Sequence, residues 1–163
     1  MQTMIGRVSF AVVGGTAFAV MLASSSSAQP SDPLLGTWKL NLAKSSFSPG
    51  PAPKAVTLKY EAAGEGMKVS IDGETPTGKM QWGYTGALDG KENAVTGSNP
   101  DADMVALKRI GPLTTEATTK KGGKVMTTNT RVVSADGKTL TITAKGINAE
   151  GKAVHNVQVY DRQ

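Results

Sequence analysis

The side chains that most often perform enzyme chemistry are scarce in this sequence. Its 163 residues include one histidine and no cysteine, which excludes a cysteine nucleophile and any metal site built from clustered histidines or cysteines. His155 alternates with Val157 and Val159, and no serine or carboxylate accompanies it in a catalytic motif. We therefore predict that the protein is not an enzyme and carries no metal or organic cofactor.

Two further groups of polar residues have ion-binding side chains, but turns explain them better. Asp101 and Asp103 follow an Asn-Pro pair, and they fall short of the roughly six oxygen ligands that a calcium loop supplies. Lys121-Gly-Gly-Lys124 is not followed by a helix, which a phosphate-cradling loop requires. The net charge of +5 is spread along the chain without a basic block or an aromatic-basic stripe. We expect no nucleic-acid partner.

The first 28 residues have the order of a secretory signal peptide. Arg7 precedes an apolar run over Val8–Leu22, and small residues follow as far as Ala28. The run is shorter than the ~20 residues that span a bilayer. We predict cleavage after Ala28, a single mature domain over residues 29–163, no lipid anchor because cysteine is absent, and a periplasmic or secreted location.

The elements that must position any site are short β-strands. Nearly all connectors are short and rich in Gly, Asp or Asn, which forces sequential strands to pair antiparallel. A long antiparallel meander favours an up-and-down barrel, because closure removes exposed strand edges. Residues 43–54 contain three prolines and predict an extended wall or lid rather than a helix. The candidate strands are Gly36–Leu42, Ala55–Ala62, Met67–Asp72, Lys79–Leu88, Glu92–Thr96, Met104–Ile110, Thr114–Lys120, Lys124–Ser134, Lys138–Ile147 and Lys152–Asp161.

Apolar and polar residues alternate with a period of two in these strands, which predicts an apolar interior. Charged residues such as Lys59, Glu61 and Lys68 then point outward, which excludes membrane insertion. Arg109 is in phase with the interior; it either meets an anionic head group at the barrel mouth, as a ligand-binding residue, or is a solvated surface arginine. The remaining predicted ligand-binding residues are Leu58, Tyr60, Ile71, Trp82, Tyr84, Leu107, Gln158 and Tyr160.

The register of the last three strands depends on two turns with similar sequences. Ser134–Lys138 and Asn148–Lys152 both suit a three-residue loop with a glycine bulge, and we favour that register. It places Ile142 on the same face as Thr130. A two-residue loop at the first turn would shift the pairing by one residue and place Arg131 beside Ile142 on the inner face.

Gly36-Thr37-Trp38 on the first strand and the ending Val159-Tyr160-Asp161-Arg162 resemble the calycin superfamily, which includes the lipocalins and the fatty-acid-binding proteins. The resemblance implies an all-β, antiparallel up-and-down meander closed into a calycin-like barrel of about eight to ten strands. It also implies that the Trp38 indole and Arg162 close the barrel base. Fatty-acid-binding proteins carry an Arg-x-Tyr on the last strand; Tyr160 matches its tyrosine, whereas Gln158 stands at the arginine position.

Two functions are compatible with such a barrel, which either packs solid or encloses one small ligand. The first is a monomeric, lipocalin-like carrier of a small hydrophobic or amphipathic ligand. The alternative is a barrel with a filled core that acts as a protein-interaction or stress module. That module would use its outer face or the proline-rich segment Ser46–Pro53.

Overall fold

The computed structural model describes residues 31–163. The predicted signal peptide, residues 1–28, therefore lies outside the described residues. Eleven strands and one three-residue 3-10 helix, Leu42–Lys44, make up the regular structure of this part. The strands are β1 (Gly36–Leu40), β2 (Ala55–Ala63), β3 (Gly66–Thr75), β4 (Gly78–Gly86), β5 (Asp89–Ala94), β6 (Thr96–Gly97), β7 (Met104–Gly111), β8 (Thr114–Lys121), β9 (Lys124–Val133), β10 (Thr139–Ile147) and β11 (Ala153–Arg162).

The strands form one antiparallel sheet that curves into a nearly closed barrel. Their order is β5-β7-β8-β9-β10-β11-β1-β2-β3-β4-β6, so β1 pairs with both β2 and the last strand, β11. Among the described residues, β4 and β5 touch without sharing a hydrogen-bonded ladder. The predicted all-β, up-and-down architecture is confirmed, and it fits a calycin-like barrel. No helix in the described part of the chain is long and apolar enough to cross a membrane.

The number of strands is larger than predicted because one candidate strand, Glu92–Thr96, is split. The backbone N–H of Val95 donates to the carbonyl of Asp103 at 2.9 Å. Before this point β5 pairs with β7, and after it the two-residue β6 pairs with β4. The chain thus changes ladder partner at Val95.

The alternation along β2 and β3 fills the interior as predicted. Val56, Leu58 and Tyr60 of β2 are buried, as are the inward residues Val69 and Ile71 of β3. Their neighbours along each strand are more exposed. Burial of these apolar side chains contributes about 25 cal/mol per Å² and is the main stabilising term of the barrel wall.

The register that we favoured for the β9–β10 hairpin is wrong. Ser134 pairs with Thr139 rather than with Lys138, and Arg131 lies opposite Ile142. The carboxylate of Asp136 accepts hydrogen bonds from Ser134 Oγ and from the backbone N–H of Lys138. These two bonds stabilise a four-residue loop. This loop gives the same strand pairing as the two-residue alternative would, so Arg131 points inward.

The second hairpin has the predicted three-residue loop. The backbone N–H of Asn148 donates to the carbonyl of Lys152 at 3.0 Å, and Gly151, with φ of 75°, donates to Asn148. Gln158 and Tyr160 of β11 consequently share a face with Ile142 and Leu140 of β10.

The proline-rich segment is extended, as predicted, and continues the edge of β1 along β11. Ser46 forms a two-way bridge with Val157, and the carbonyl of Ser48 accepts the N–H of His155 at 2.7 Å. Beyond Ser48 the prolines leave the sheet. They reach the end of the barrel opposite Trp38.

Candidate functional site

The base of the barrel is closed by Trp38 and Arg162. Trp38 is completely buried, and its indole N–H donates to the carbonyl of Leu34 at 2.8 Å. The guanidinium carbon of Arg162 lies 4.1 Å from the centre of the Trp38 ring. The same guanidinium donates to the carbonyls of Leu35, Pro33 and Gly137. The structure therefore places both residues of the predicted closure in direct contact.

Gly36 is required by this closure. Its φ is 127°, which side chains rarely adopt, and an added Cβ would lie 2.6 Å from a guanidinium nitrogen of Arg162. The spacing Gly-x-Trp thus has a physical basis: the glycine makes room for the cation that covers the indole.

Above this base the barrel encloses a cavity of about 720 Å³. This volume lies within the range of small-molecule sites. The cavity extends to the end of the barrel opposite the base, where Phe47, Pro51 and Pro100 line its mouth. Six of the predicted ligand-binding residues line it, namely Leu58, Tyr60, Ile71, Trp82, Gln158 and Tyr160.

Three predicted ligand-binding residues do not line this cavity. Leu107 is completely buried in the core, and Tyr84 is buried beside Trp82, with ring centres 6.2 Å apart. Arg109 was predicted at the mouth, but it forms an ion pair with Asp32 and also donates to the carbonyl of Pro112. The period of two predicts which face of the strand Arg109 lies on, but not its height along the barrel axis. The carboxylate of Asp32, which precedes β1, neutralises its charge.

The sequence analysis assigned no ligand contact to Arg131, which is the one buried cation among the described residues. Its side chain is 7% exposed and lines the cavity. Nε and Nη1 have no hydrogen-bond partner, and no carboxylate of residues 31–163 pairs with the guanidinium. The Tyr84 hydroxyl and Thr115 Oγ1 are also buried without partners, and Thr115 pairs directly with Arg131 across the β8–β9 ladder.

The surroundings of Arg131 keep the arginine charged and the tyrosines neutral. Desolvation opposes the charge of the guanidinium, but the hydroxyls of Tyr84, Tyr60 and Tyr160 outweigh it and raise the pKa of Arg131. Burial raises the pKa of Tyr84 to about 12 and also raises the pKa of Tyr160. At neutral pH this part of the cavity therefore presents a positive charge surrounded by neutral tyrosine side chains.

A second, shallower cleft of about 660 Å³ lies where β4 and β5 are not paired. Its lining combines apolar groups with the polar side chains of Lys68, Asp72, Gln81 and Glu92. Trp82 borders both this cleft and the interior cavity. One aromatic side chain therefore forms part of the wall between them.

The other residues singled out in the sequence take structural positions. His155 is exposed on β11, opposite Lys145. Asp101 Oδ1 accepts the N–H of Ala149, and Asp103 Oδ2 accepts the N–H of Gly122, so both carboxylates hold loops together. Within residues 31–163, no three histidine or acidic side chains are grouped closely enough to hold a metal ion.

The comparisons with known proteins concern overall shape. No family model matches the sequence, and no curated protein is similar to it. The solved structure of zebrafish ileal bile acid-binding protein, complexed with cholic acid, has a TM-score of 0.47 at 13% identity, covering 80% of this chain and 99% of that one. The siderocalin Ex-FABP has a TM-score of 0.38 at 14% identity, covering 80% of this chain and 74% of that one. At these identities no residue role passes from either protein to this chain.

Proposed function

We propose that this protein is a carrier that binds one small amphipathic acid inside its barrel. In this proposal the acid group sits on Arg131 and the apolar body of the ligand extends toward the mouth. One observation carries the proposal: Arg131, a buried arginine with no carboxylate partner among residues 31–163, lines a cavity of about 720 Å³.

The energetics of a buried charge support an anionic ligand. Removing an ion from water costs several kcal/mol unless a counter-charge with good geometry compensates it. A carboxylate accepts strong, charge-assisted hydrogen bonds from a guanidinium, and Arg131 has no carboxylate partner among residues 31–163. The Tyr84 hydroxyl favours the charged form of Arg131 and so helps to keep the guanidinium ready for an anion.

The lining of the cavity supports an apolar body on the same ligand. Leu58, Ile71 and Trp82 line one side and offer an apolar surface. Each Å² of ligand surface removed from water there contributes about 25 cal/mol. A cavity of this size favours the carrier over the alternative of a barrel with a filled core acting as an interaction module.

The position of Arg131 along the barrel favours one orientation of the ligand. Val133 and Leu140 form the inner row next to the base, and Arg131 with Ile142 forms the next row. The mouth lies about two further rows away, at Asn129 and Thr127. The acid group would therefore enter first and the apolar end would lie near the prolines.

We also propose that the carrier acts outside the cytoplasm, in the periplasm or the medium. The support is the order of charged, apolar and small residues over positions 1–28. Fractionation of the native host, with mass analysis of the recovered protein, tests this part. A mature protein starting at Gln29 in the periplasm or medium is expected; an intact N-terminus in the cytoplasm would refute it.

Binding of octadecanoic acid and of its alcohol, octadecanol, to Arg131→Met and Arg109→Met tests the carrier proposal. We expect wild type and Arg109→Met to prefer the acid, because Arg109 already pairs with Asp32. Arg131→Met should lose at least about 30-fold in affinity for the acid, the loss typical of removing one partner of a buried charge pair. Its affinity for the alcohol should stay within a few-fold of wild type.

The assay can use the fluorescence of Trp82, since Trp38 is sealed in the base and away from the cavity. Native mass spectrometry gives the stoichiometry, for which we expect one ligand per chain. Failure of the wild-type protein to bind either compound, or equal binding of the acid by wild type and Arg131→Met, would refute the proposal.

A further inference from the structure

One flank of the cavity carries more polar side chains than an acid group requires. The three successive inward residues of β9 that reach the cavity are Thr127, Asn129 and Arg131. Thr119 of the adjacent strand β8 is also polar and lines the cavity, as do Asn156 and Gln158 of β11, beyond the apolar Ile142 and Ala144 of β10. We call the set Thr119, Thr127, Asn129, Asn156 and Gln158 the polar strip.

The opposite flank is apolar. In the strand order β3 lies five places from β9 in one direction around the barrel and six in the other, so the two strands face each other. The inward residues of β3 are Met67, Val69 and Ile71, all buried. A ligand lying between β3 and β9 therefore meets hydrocarbon on one side and hydrogen-bonding groups on the other.

The protein's own hydrogen bonds use only part of the capacity of the polar strip. Thr119 Oγ1 and Thr127 Oγ1 lie 2.7 Å apart, and Asn129 Nδ2 donates to Thr127 Oγ1 at 3.0 Å. Gln158 Oε1 accepts the Tyr160 hydroxyl at 2.6 Å, and Asn156 Oδ1 accepts the N–H of Ser48 at 2.9 Å.

Each side-chain amide has two donor hydrogens and an acceptor oxygen. These bonds therefore leave the Oδ1 of Asn129 as an acceptor and the amide nitrogens of Asn156 and Gln158 as donors, all on cavity-lining side chains.

From this arrangement we infer that the ligand is a hydroxylated amphipathic acid, with hydroxyl groups along one side of its apolar body. The inference rests on the proposed function and specifies its ligand class. A plain saturated chain would remove the polar strip from water without replacing its hydrogen bonds, which costs affinity. A hydroxyl group facing the strip would supply a donor and an acceptor at that point.

The spacing of the strip indicates where such hydroxyl groups belong. Inward residues of one strand repeat every two residues, so Asn129 lies about 7 Å and Thr127 about 13 Å from Arg131 along β9. An extended chain advances about 1.2 Å per bond, judged from the reach of an extended backbone. A hydroxyl near the twelfth carbon of a fatty acid therefore falls at the height of Thr127, beside the amide of Asn129, whose Nδ2 bonds to Thr127 Oγ1 and whose Oδ1 is the free acceptor.

Comparison of octadecanoic acid with 12-hydroxyoctadecanoic acid tests the inference directly on the wild-type protein. We expect the hydroxylated acid to bind about three- to tenfold more tightly, the range that one net hydrogen bond provides. Thr127→Val and Asn129→Leu should each reduce this ratio, and the double variant should bring it to one or below.

Thr128→Val is the matched control, because Thr128 is the next residue on β9 and points outward. It should leave the ratio unchanged. A variant that is less stable loses affinity for both acids alike, so the ratio of the two affinities is unaffected. The comparison of the two acids on the wild-type protein requires no variant.

The outcomes separate the two proposals. If neither acid binds to the wild-type protein, the carrier function itself is refuted, and this inference with it. If both acids bind with equal affinity, or if Thr127→Val and Asn129→Leu leave the ratio as high as Thr128→Val does, only the hydroxylated ligand class is refuted.

Discussion

Replacement of Arg162 by methionine tests whether the closure at the barrel base stabilises the fold. The guanidinium covers the Trp38 ring and donates to the carbonyls of Leu35, Pro33 and Gly137. Methionine has a similar apolar stem but can do neither. Arg162→Lys keeps the charge and the ability to donate, but not the planar group that spans three carbonyls.

The expected loss follows from these contacts. Hydrogen bonds that involve a charged group contribute about 1.5–3 kcal/mol each, and a cation over an indole contributes about 0.5–2 kcal/mol. Because the guanidinium is only partly buried, we take the low end and expect Arg162→Met to lower the free energy of unfolding by about 3–5 kcal/mol. The total stability of a domain is about 5–15 kcal/mol. Arg162→Lys should lose about half as much.

Urea denaturation followed by tryptophan fluorescence and circular dichroism measures this loss through the midpoint and the slope. Lys108→Met is the control, since Lys108 is an exposed cation on a strand and forms no ion pair with a described residue. If Arg162→Met unfolds within about 1 kcal/mol of both wild type and Lys108→Met, the closure does not stabilise the barrel and the reasoning fails.

Two further predictions concern the base and the interior. Gly36→Ala should lower the free energy of unfolding, measured by urea denaturation, by about 2–4 kcal/mol, because φ is 127° and the new Cβ meets Arg162. The control Gly64→Ala, with φ of 58° and open space around it, should lower it by about 1 kcal/mol. Burial raises the pKa of Tyr84 to about 12, so the folded state favours the neutral form. Stability should therefore fall by about 2–3 kcal/mol as pH rises from the unfolded pKa near 10 toward 12. Tyr84→Phe should make the decline in stability over that pH interval shallower without lowering stability at pH 7, and an unchanged decline would contradict the assignment.

Local patterns were sufficient to predict the barrel and its base. The alternation of Val56, Leu58 and Tyr60 fixes which face of β2 is inside, because a strand turns successive side chains to opposite faces. An up-and-down meander brings its first and last strands together. The closure formed by Gly36, Trp38 and Arg162 depends on this contact. These features depend on the order of the strands and on which face of each strand is apolar, and the sequence pattern predicts both.

The register of β9 was not predictable in the same way. Threonine and other polar residues occupy both faces of Lys124–Val133, so neither facing has an apolar pattern to favour it. The decision rests on the loop, where Asp136 bonds to Ser134 Oγ and to the N–H of Lys138. An Asp-Gly pair suits loops of different lengths, and these side-chain bonds select the longer one.

The inward position of Arg131 runs against the patterning of the rest of the barrel, and this conflict is what marks the site. In the register that we favoured, Val132 would be inside and Arg131 in solvent; instead Val132 is 41% exposed and Arg131 is buried with two unpartnered nitrogens. Burial of a charge is costly without a counter-charge, and tyrosine hydroxyls rather than a carboxylate of residues 31–163 compensate it here. Residues that break the local rules of a fold are typically those that serve function. If this reasoning is correct, Arg131→Met should be at least as stable as wild type in urea while losing the acid, and a clear loss of stability would show that Arg131 supports the fold rather than a ligand.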